Sequence, residues 1–140
     1  TVRFVAFVNE EPPFFQDRTA MGSFVYAKRS REKNESIEGV VIFDSVGTYS
    51  QKPKSKRSRL GFLPALIGLP ERSDYVAFLG NLSSRRFMLR SVELFDAHST
   101  IELRAVALPA LVPKVAWSDD WSFWQHGYPA FTVTDTAYLR

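Results

Sequence analysis

The stretch Gly39-Val40-Val41-Ile42-Phe43-Asp44 is a short, nearly continuous apolar run that ends in an acidic residue. Runs of this kind are typical of strands that are buried on both faces, as in parallel sheets covered by helices on either side. A similar run, Val2–Val8, ends just before Asn9-Glu10-Glu11-Pro12-Pro13. The sequence therefore predicts two buried strands, each with carboxylates just beyond its carboxyl end.

The rest of the chain alternates between strand and helix patterns. Further strands are predicted at Tyr75–Leu79, Ile101–Leu108 and Pro129–Asp135. Helices are predicted from Met21 to about Lys33, from about Ser84 to Phe95, and from a capping turn at Ser118-Asp119-Asp120 to Gly127. This alternation predicts an α/β fold, a three-layer sandwich built on a mostly parallel sheet.

Composition sets broad limits on the class of protein. The chain has 140 residues, enough for one domain, and 45% of them are hydrophobic. It has no cysteine, which excludes disulfides and thiolate metal sites. No apolar run approaches the roughly 20 residues of a membrane span, and no signal peptide is visible. We expect no membrane partner, and the sequence leaves the compartment open.

Acidic residues follow several of the predicted strands. Ligands of parallel sheets bind beyond the carboxyl ends of the strands, where Glu10, Glu11 and Asp44 would lie. Asp135 ends the last predicted strand and Asp119 precedes a predicted helix, so these acids could share the same rim. Adjacent carboxylates repel one another, and a divalent cation relieves that repulsion. The pattern predicts a metal-binding rim; the alternative is a solvated loop that happens to carry two acids.

Five segments carry a resemblance to a known family, and they occur in the same order as in that family. They are Arg3–Gln16, Met21–Ser23, Asp44–Ser50, Tyr75–Arg85 and Ser118–Ala137. In these segments the chain resembles the co-catalytic zinc aminopeptidases of the bacterial leucyl aminopeptidase type, which are relatives of the glutaminyl cyclases. The resemblance spans nearly all of the chain and implies the zinc-exopeptidase form of the phosphorylase/hydrolase-like fold.

The resemblance also implies roles for individual residues. Glu10 would be the general base, Glu11 would bind one zinc ion, and Asp44 would bind the other. The substrate would be a peptide with a free N-terminus. Two metal ions can acidify a water molecule, polarise the scissile carbonyl and hold the substrate amine.

Some residues of the family pattern are absent from this chain. The family has a histidine and a metal-bridging aspartate upstream of the Glu-Glu pair, and a histidine after the last strand. Its Ser-Asp-His motif is here Ser118-Asp119-Asp120. The expectation is therefore a partial catalytic domain over residues 1–140, with weak zinc binding and no activity as this chain alone. The partner expected for such a domain is a further copy of itself or a missing segment that completes the fold.

Two other interpretations compete with the peptidase. A remnant of the same fold could serve as a non-catalytic interaction module. Alternatively, a basic loop at about residues 50–72, with Lys52, Lys54, Lys56, Arg57 and Arg59, could bind nucleic acid or another anion. Nucleic acid is the weaker prediction, because no aromatic side chain is interleaved with these charges for base stacking.

Candidates for a substrate pocket surround the Ser-Asp-Asp turn. They are Asp119, Asp120, Trp121 and Trp124. The tryptophans could line a pocket for an apolar N-terminal side chain. The alternative, plain packing of a short helix, is the stronger expectation for at least two of the three tryptophans of this region, which include Trp117.

Overall fold

The computed structural model describes residues 1–47, 74–112 and 118–135. Within these ranges the helices are α1 (Gly22–Glu32), α2 (Arg85–His98) and α3 (Asp120–Gln125). The strands are β1 (Val40–Phe43), β2 (Tyr75–Asn81), β3 (Glu102–Leu108) and β4 (Ala130–Thr134).

The four strands form one mixed sheet in the order β1-β4-β2-β3. β1 is parallel to β4, and β2 is parallel to β3, whereas β2 and β4 run antiparallel. The carboxyl ends of β1 and β4 therefore meet at one edge of the sheet, and those of β2 and β3 lie at the opposite edge.

Helices cover both faces of the sheet, and β4 lies at its centre. Every residue of β4 is buried. Ala130 packs in one cluster with Ala27 of α1 and Phe123 of α3. Phe131 and Val133, which point to the other face, pack with Met88 of α2. The alternation of side chains along a strand thus places α1 and α3 on one face and α2 on the other.

The predicted fold class is confirmed, as an α/β fold with a mixed, mostly parallel sheet and three helices packed on it. All three predicted helices are present, and the strands predicted near residues 39–44, 75–79, 101–108 and 129–135 are present within two residues at each end.

The predicted strand Val2–Val8 is wrong. This segment belongs to no strand, and Phe4 is 96% exposed. A strand requires a neighbour for its backbone hydrogen bonds, and no ladder pairs with this segment among the described residues. Arg3 and Phe7 contact α1 and the residues that follow it instead. Arg3 pairs with Glu35 and donates to the hydroxyl of Tyr26, and the Phe7 ring meets the Tyr26 ring edge-on at 5.5 Å.

The predicted side-chain cap of α3 is also absent. The cap residue is Asp119, in a helical conformation, and its carboxylate makes no capping hydrogen bond. The first turn of α3 is closed by backbone hydrogen bonds instead, from Trp121 N–H to the Ser118 carbonyl at 3.2 Å and from Ser122 N–H to the Asp119 carbonyl at 3.1 Å.

Two predictions fall on residues outside the described ranges. These are the basic loop around Lys52–Arg59 and the position of Trp117. Of the helices formed by the described residues, none is long and apolar enough to cross a bilayer.

Candidate functional site

The turn that carries Glu10 is fixed on the start of α1. The backbone N–H of Gly22 donates to the carbonyl of Val8 at 2.9 Å. Asn9 has a φ of 61°, in the left-handed region that asparagine tolerates well, and its side-chain amide donates to the carbonyl of Ala20 at 3.1 Å. These contacts turn the chain sharply after Val8 and leave the Glu10 side chain half-buried.

Asp44 lies at the edge where β1 and β4 end together. Its N–H donates to the carbonyl of Val133 at 3.1 Å, which extends the β1–β4 pairing by one residue. The next residue, Ser45, has a φ of 54°, and its hydroxyl donates to Asp44 Oδ1 at 3.0 Å. Asp135 supports the same loop, since its Oδ2 accepts from the N–H of Gly47 at 2.6 Å.

The carboxylates of this edge act on one another. Burial, followed by the charges of Asp44, Asp119 and Glu11, raises the pKa of Glu10 to about 7, against a smaller opposing effect of a hydrogen bond from Ser118. A carboxylate with a pKa near neutrality can both take up and release protons at physiological pH, which suits a general base. The charges of Asp44, Asp119 and Glu11 therefore act on Glu10, whereas the metal-binding rim stays a prediction.

Asp119 and Asp120 lie at the start of α3 and are also perturbed. Burial raises the pKa of Asp119, and a hydrogen bond from Ser23 opposes this effect. Asp120 is 2% exposed, and burial raises its pKa to about 8. The hydroxyl of Thr132 in β4 donates to Asp120 Oδ2 at 3.1 Å. Asp120 is therefore mainly a neutral acid at pH 7.

The two tryptophans predicted to line a pocket have different environments. The ring of Trp121 is half-buried and lies 5.5 Å from that of Phe24 in α1. Trp124 packs against the core, and its indole N–H donates to the carbonyl of Ala130 at 2.9 Å. Packing, the stronger expectation, therefore accounts for Trp124, and the recorded ring contact of Trp121 is also a packing contact, with Phe24.

The carboxylate oxygens of the candidate site meet only some of the requirements for binding a cation. Asp119 Oδ1 and Asp120 Oδ1 are buried without a hydrogen-bond partner among the described residues, and buried polar atoms are normally satisfied. The excess of carboxylate oxygens would favour a divalent ion. However, within residues 1–47, 74–112 and 118–135, no group of three or more histidine, aspartate or glutamate side chains is arranged to hold one. Glu11 and Asp44 remain the candidate ligands, and a complete zinc shell needs more.

Sequence reasoning missed the hydroxyl groups that surround the acids. The hydroxyl groups of Ser118 and Ser23 lower the pKa values of Glu10 and Asp119, respectively, against the larger effect of burial. Ser23 and Ser122 are fully buried, with 2.8 Å between their Oγ atoms. In the sequence, Met21-Gly22-Ser23 belongs to the segments that carry the resemblance, and no local pattern there marks Ser23 for a buried contact with Ser122.

No protein-family model matches the chain. The sequence is 30% identical over 140 residues to the "Uncharacterized protein YfbL" of Escherichia coli (strain K12). The alignment covers 99% of this chain and 41% of YfbL. The chain thus spans less than half the length of this relative.

Proposed function

We propose that this chain is part of a zinc-dependent aminopeptidase-like hydrolase, in which a water molecule cleaves the first peptide bond of a substrate with a free N-terminus. The observation that carries the proposal is the half-buried Glu10, whose pKa is raised to about 7 beside Asp44, Asp119 and Glu11. The resemblance in segment order supplies the reaction class.

The resemblance supplies the roles of the residues in this proposal. Glu11 and Asp44 would hold zinc, which supplies a Lewis acid and favours ionisation of water. Glu10 accepts a proton from the attacking water and passes it to the leaving amine as the C–N bond breaks. Asp119, on the turn before α3, lies where its charge acts on Glu10. It is a candidate to bind the positively charged N-terminus of a peptide.

One observation favours the second candidate function, a non-catalytic interaction module. Large apolar side chains are exposed along the N-terminal segment and on β1, namely Val2, Phe4, Val5, Val8 and Phe43. Exposed apolar patches of this kind mark interaction surfaces. The third candidate, anion binding by the basic loop, remains a prediction from sequence.

Zinc binding by purified chain after exhaustive dialysis tests the proposal. We expect weak binding that Glu11→Ala and Asp44→Ala each reduce by at least about tenfold, because each removes a ligand. Glu10→Gln should leave binding nearly unchanged, since a base is not a ligand. Glu38→Gln, which changes an exposed glutamate, is the control.

Turnover measurements on the same variants distinguish the role of Glu10 as base from the roles of Glu11 and Asp44 as zinc ligands. If the zinc-loaded chain cleaves aminoacyl-nitroanilides at all, Glu10→Gln should reduce the rate by about 100-fold or more. Absence of zinc binding in the unaltered chain, or equal binding in Glu11→Ala, would contradict the proposal and favour the interaction module.

A further inference from the structure

β1 is an edge strand with one open side. It is the first strand in the order β1-β4-β2-β3, so only one of its sides pairs with another strand of the described residues. The N–H groups of Val40 and Asp44 donate to carbonyls on the β4 side. Because backbone groups alternate in direction along a strand, those of Val41 and Phe43 point away from β4. They form no hydrogen bond with any other described residue.

The side chains on this edge are apolar and exposed. Val41 is in register with Phe131 of β4, whose ring packs with α2. Phe43 is in register with Val133, which belongs to the same cluster. Val41 and Phe43 are nevertheless 38% and 73% exposed, so α2 does not cover them. Free backbone groups beside exposed apolar side chains are what a further β-strand needs in order to pair.

The N-terminal segment adds exposed apolar side chains near the same core. Phe7 packs against the cluster that contains Ile42 of β1, and Arg3 is held by Glu35 and by the hydroxyl of Tyr26. The residues that alternate with Arg3 and Phe7 include three exposed apolar side chains, namely Val2, Phe4 and Val8. The segment is therefore anchored on one face and uncovered on the other.

The strand at the opposite edge of the sheet has a different character. β3 carries Glu102 and Arg104, which form an ion pair and are both about half exposed. Charged side chains on an edge strand discourage pairing with another strand. β1 has the sequence Val-Val-Ile-Phe and no charge. The edge of β1 thus lacks the usual protection against strand addition, as expected of an edge that receives a partner.

The size of the edge indicates where the partner strand comes from. β1 has four residues, and pairing with the β1 strand of a second copy would bury far less surface than the about 1,200 Å² of a stable interface between separate proteins. A segment of the same polypeptide needs less contact, because the connecting chain already holds it close. More than half of the relative YfbL lies outside its alignment with this chain, and that part is long enough to supply a strand.

We propose that the open edge of β1 receives one apolar β-strand from a further segment of the polypeptide, corresponding to part of YfbL outside the alignment. The strand pairs with the backbone groups of Val41 and Phe43, and its apolar side chains cover those of this edge. The proposal names the partner of part of the exposed apolar surface described above, and it does not rest on the proposed hydrolase.

Amide hydrogen exchange, measured without metal or substrate, tests this proposal. It compares this chain alone with a chimera in which the chain replaces the aligned part of intact YfbL. The amides of Val41 and Phe43 should exchange rapidly in the chain alone and at least about 100-fold more slowly in the chimera, because each then donates a hydrogen bond within a sheet. The amides of Val40 and Ile42, which already face β4, should exchange slowly in both.

Two lysine variants of the chimera locate the partner strand. Phe43→Lys should remove the protection of the Val41 amide, because a charge replaces an apolar side chain that the strand covers. Leu94→Lys is the matched control, since Leu94 is an apolar residue of α2 that is 66% exposed. It should leave the exchange of Val41 unchanged.

Rapid exchange of Val41 and Phe43 in the chimera, or equal loss of protection in both lysine variants, would overturn the proposal. So would exchange that slows in the chain alone as the protein concentration rises, since a second copy would then cover the edge. Should the chimera fail to fold, intact YfbL decides: rapid exchange at the positions aligned with Val41 and Phe43 would count equally against the strand. The readout needs neither zinc nor hydrolysis, so failure of the proposed function leaves it unaffected.

Discussion

Glu10 and Asp120 illustrate how two buried acids can be used differently. The pKa of each is raised mainly by burial. Glu10 is half-buried at the edge of the sheet, where it can exchange protons with water. Asp120 is enclosed between α3 and β4 and bonded to Thr132. The first environment suits a base that meets a substrate, and the second suits a neutral acid that adds no charge to its neighbours.

Asp120 makes the stability of the fold depend on pH. Its pKa is about 8 in the folded state, above the ordinary value of 3.8. The folded state therefore binds this proton more tightly than the unfolded state does, and the stabilisation is lost as the pH rises from about 4 to about 8. We expect Asp120→Asn, which keeps an acceptor for Thr132, to be more stable than the unaltered protein above pH 8, by on the order of a few kcal/mol.

Urea unfolding between pH 4 and pH 9 measures this difference. Asp119 and Glu10 are the charged groups that act on Asp120. Glu10 also makes the free energy of unfolding fall as the pH rises, but it does so in both proteins. The difference between the two proteins therefore isolates the contribution of Asp120. Asp96→Asn, at an exposed position of α2, is the control. Parallel curves for Asp120→Asn and the unaltered protein would show that Asp120 is ionised in the fold.

Helix α3 has only six residues and is held by packing rather than by its own hydrogen bonds. Phe123 is 1% exposed, and its ring centroid lies 5.9 Å from that of Phe7 and 6.2 Å from that of Tyr26. One aromatic ring thus joins the N-terminal segment, α1 and α3. Because Asp119 and Asp120 begin this helix, the same packing places them at the site.

Removal of this ring should destabilise the protein strongly. We expect Phe123→Ala to lower the free energy of unfolding by about 3–5 kcal/mol, the usual cost of deleting a buried aromatic side chain. Phe4→Ala, at a site that is 96% exposed, should change it by no more than about 0.5 kcal/mol. Chemical denaturation of both variants tests this, and equal effects would mean that the N-terminal segment is covered in solution.

The elements themselves were largely predictable, because their signals are local. Apolar runs with β-branched residues predicted β1, β2 and β4, and the stripe of Met88, Val92 and Phe95 predicted α2. The same signal failed at Val2–Val8, where the run is equally apolar but has no partner strand among the described residues. The composition of a segment shows that it can form a strand, but whether it does depends on a neighbouring strand that pairs with it.

The candidate site depends on contacts between distant parts of the chain. The sequence predicted that Glu10, Glu11, Asp44 and Asp119 share one rim, on the premise that Glu10 and Glu11 follow a strand. Val2–Val8 forms no strand, and contacts with the start of α1 hold the turn before Glu10 instead. The sequence could not predict that β2 runs antiparallel to β4, nor that Ser23 meets Ser122, since no local pattern encodes a contact across 99 residues. Acidic residues beyond apolar runs can be identified from the sequence, whereas contacts between distant side chains depend on how the elements pack.

The assembled molecule determines the proton affinity of Glu10, which makes its titration the most direct test of the account. The shift arises from burial and from Asp44, Asp119 and Glu11, so it exists only when the N-terminal turn, the end of β1 and the start of α3 are together. The measurement is the side-chain carboxyl titration of Glu10 by carbon NMR, without metal and with excess zinc. The account predicts a pKa of about 7 without metal and a clear decrease when zinc is added, since a cation favours the carboxylate. A pKa near the ordinary 4.5 that does not respond to zinc would contradict it.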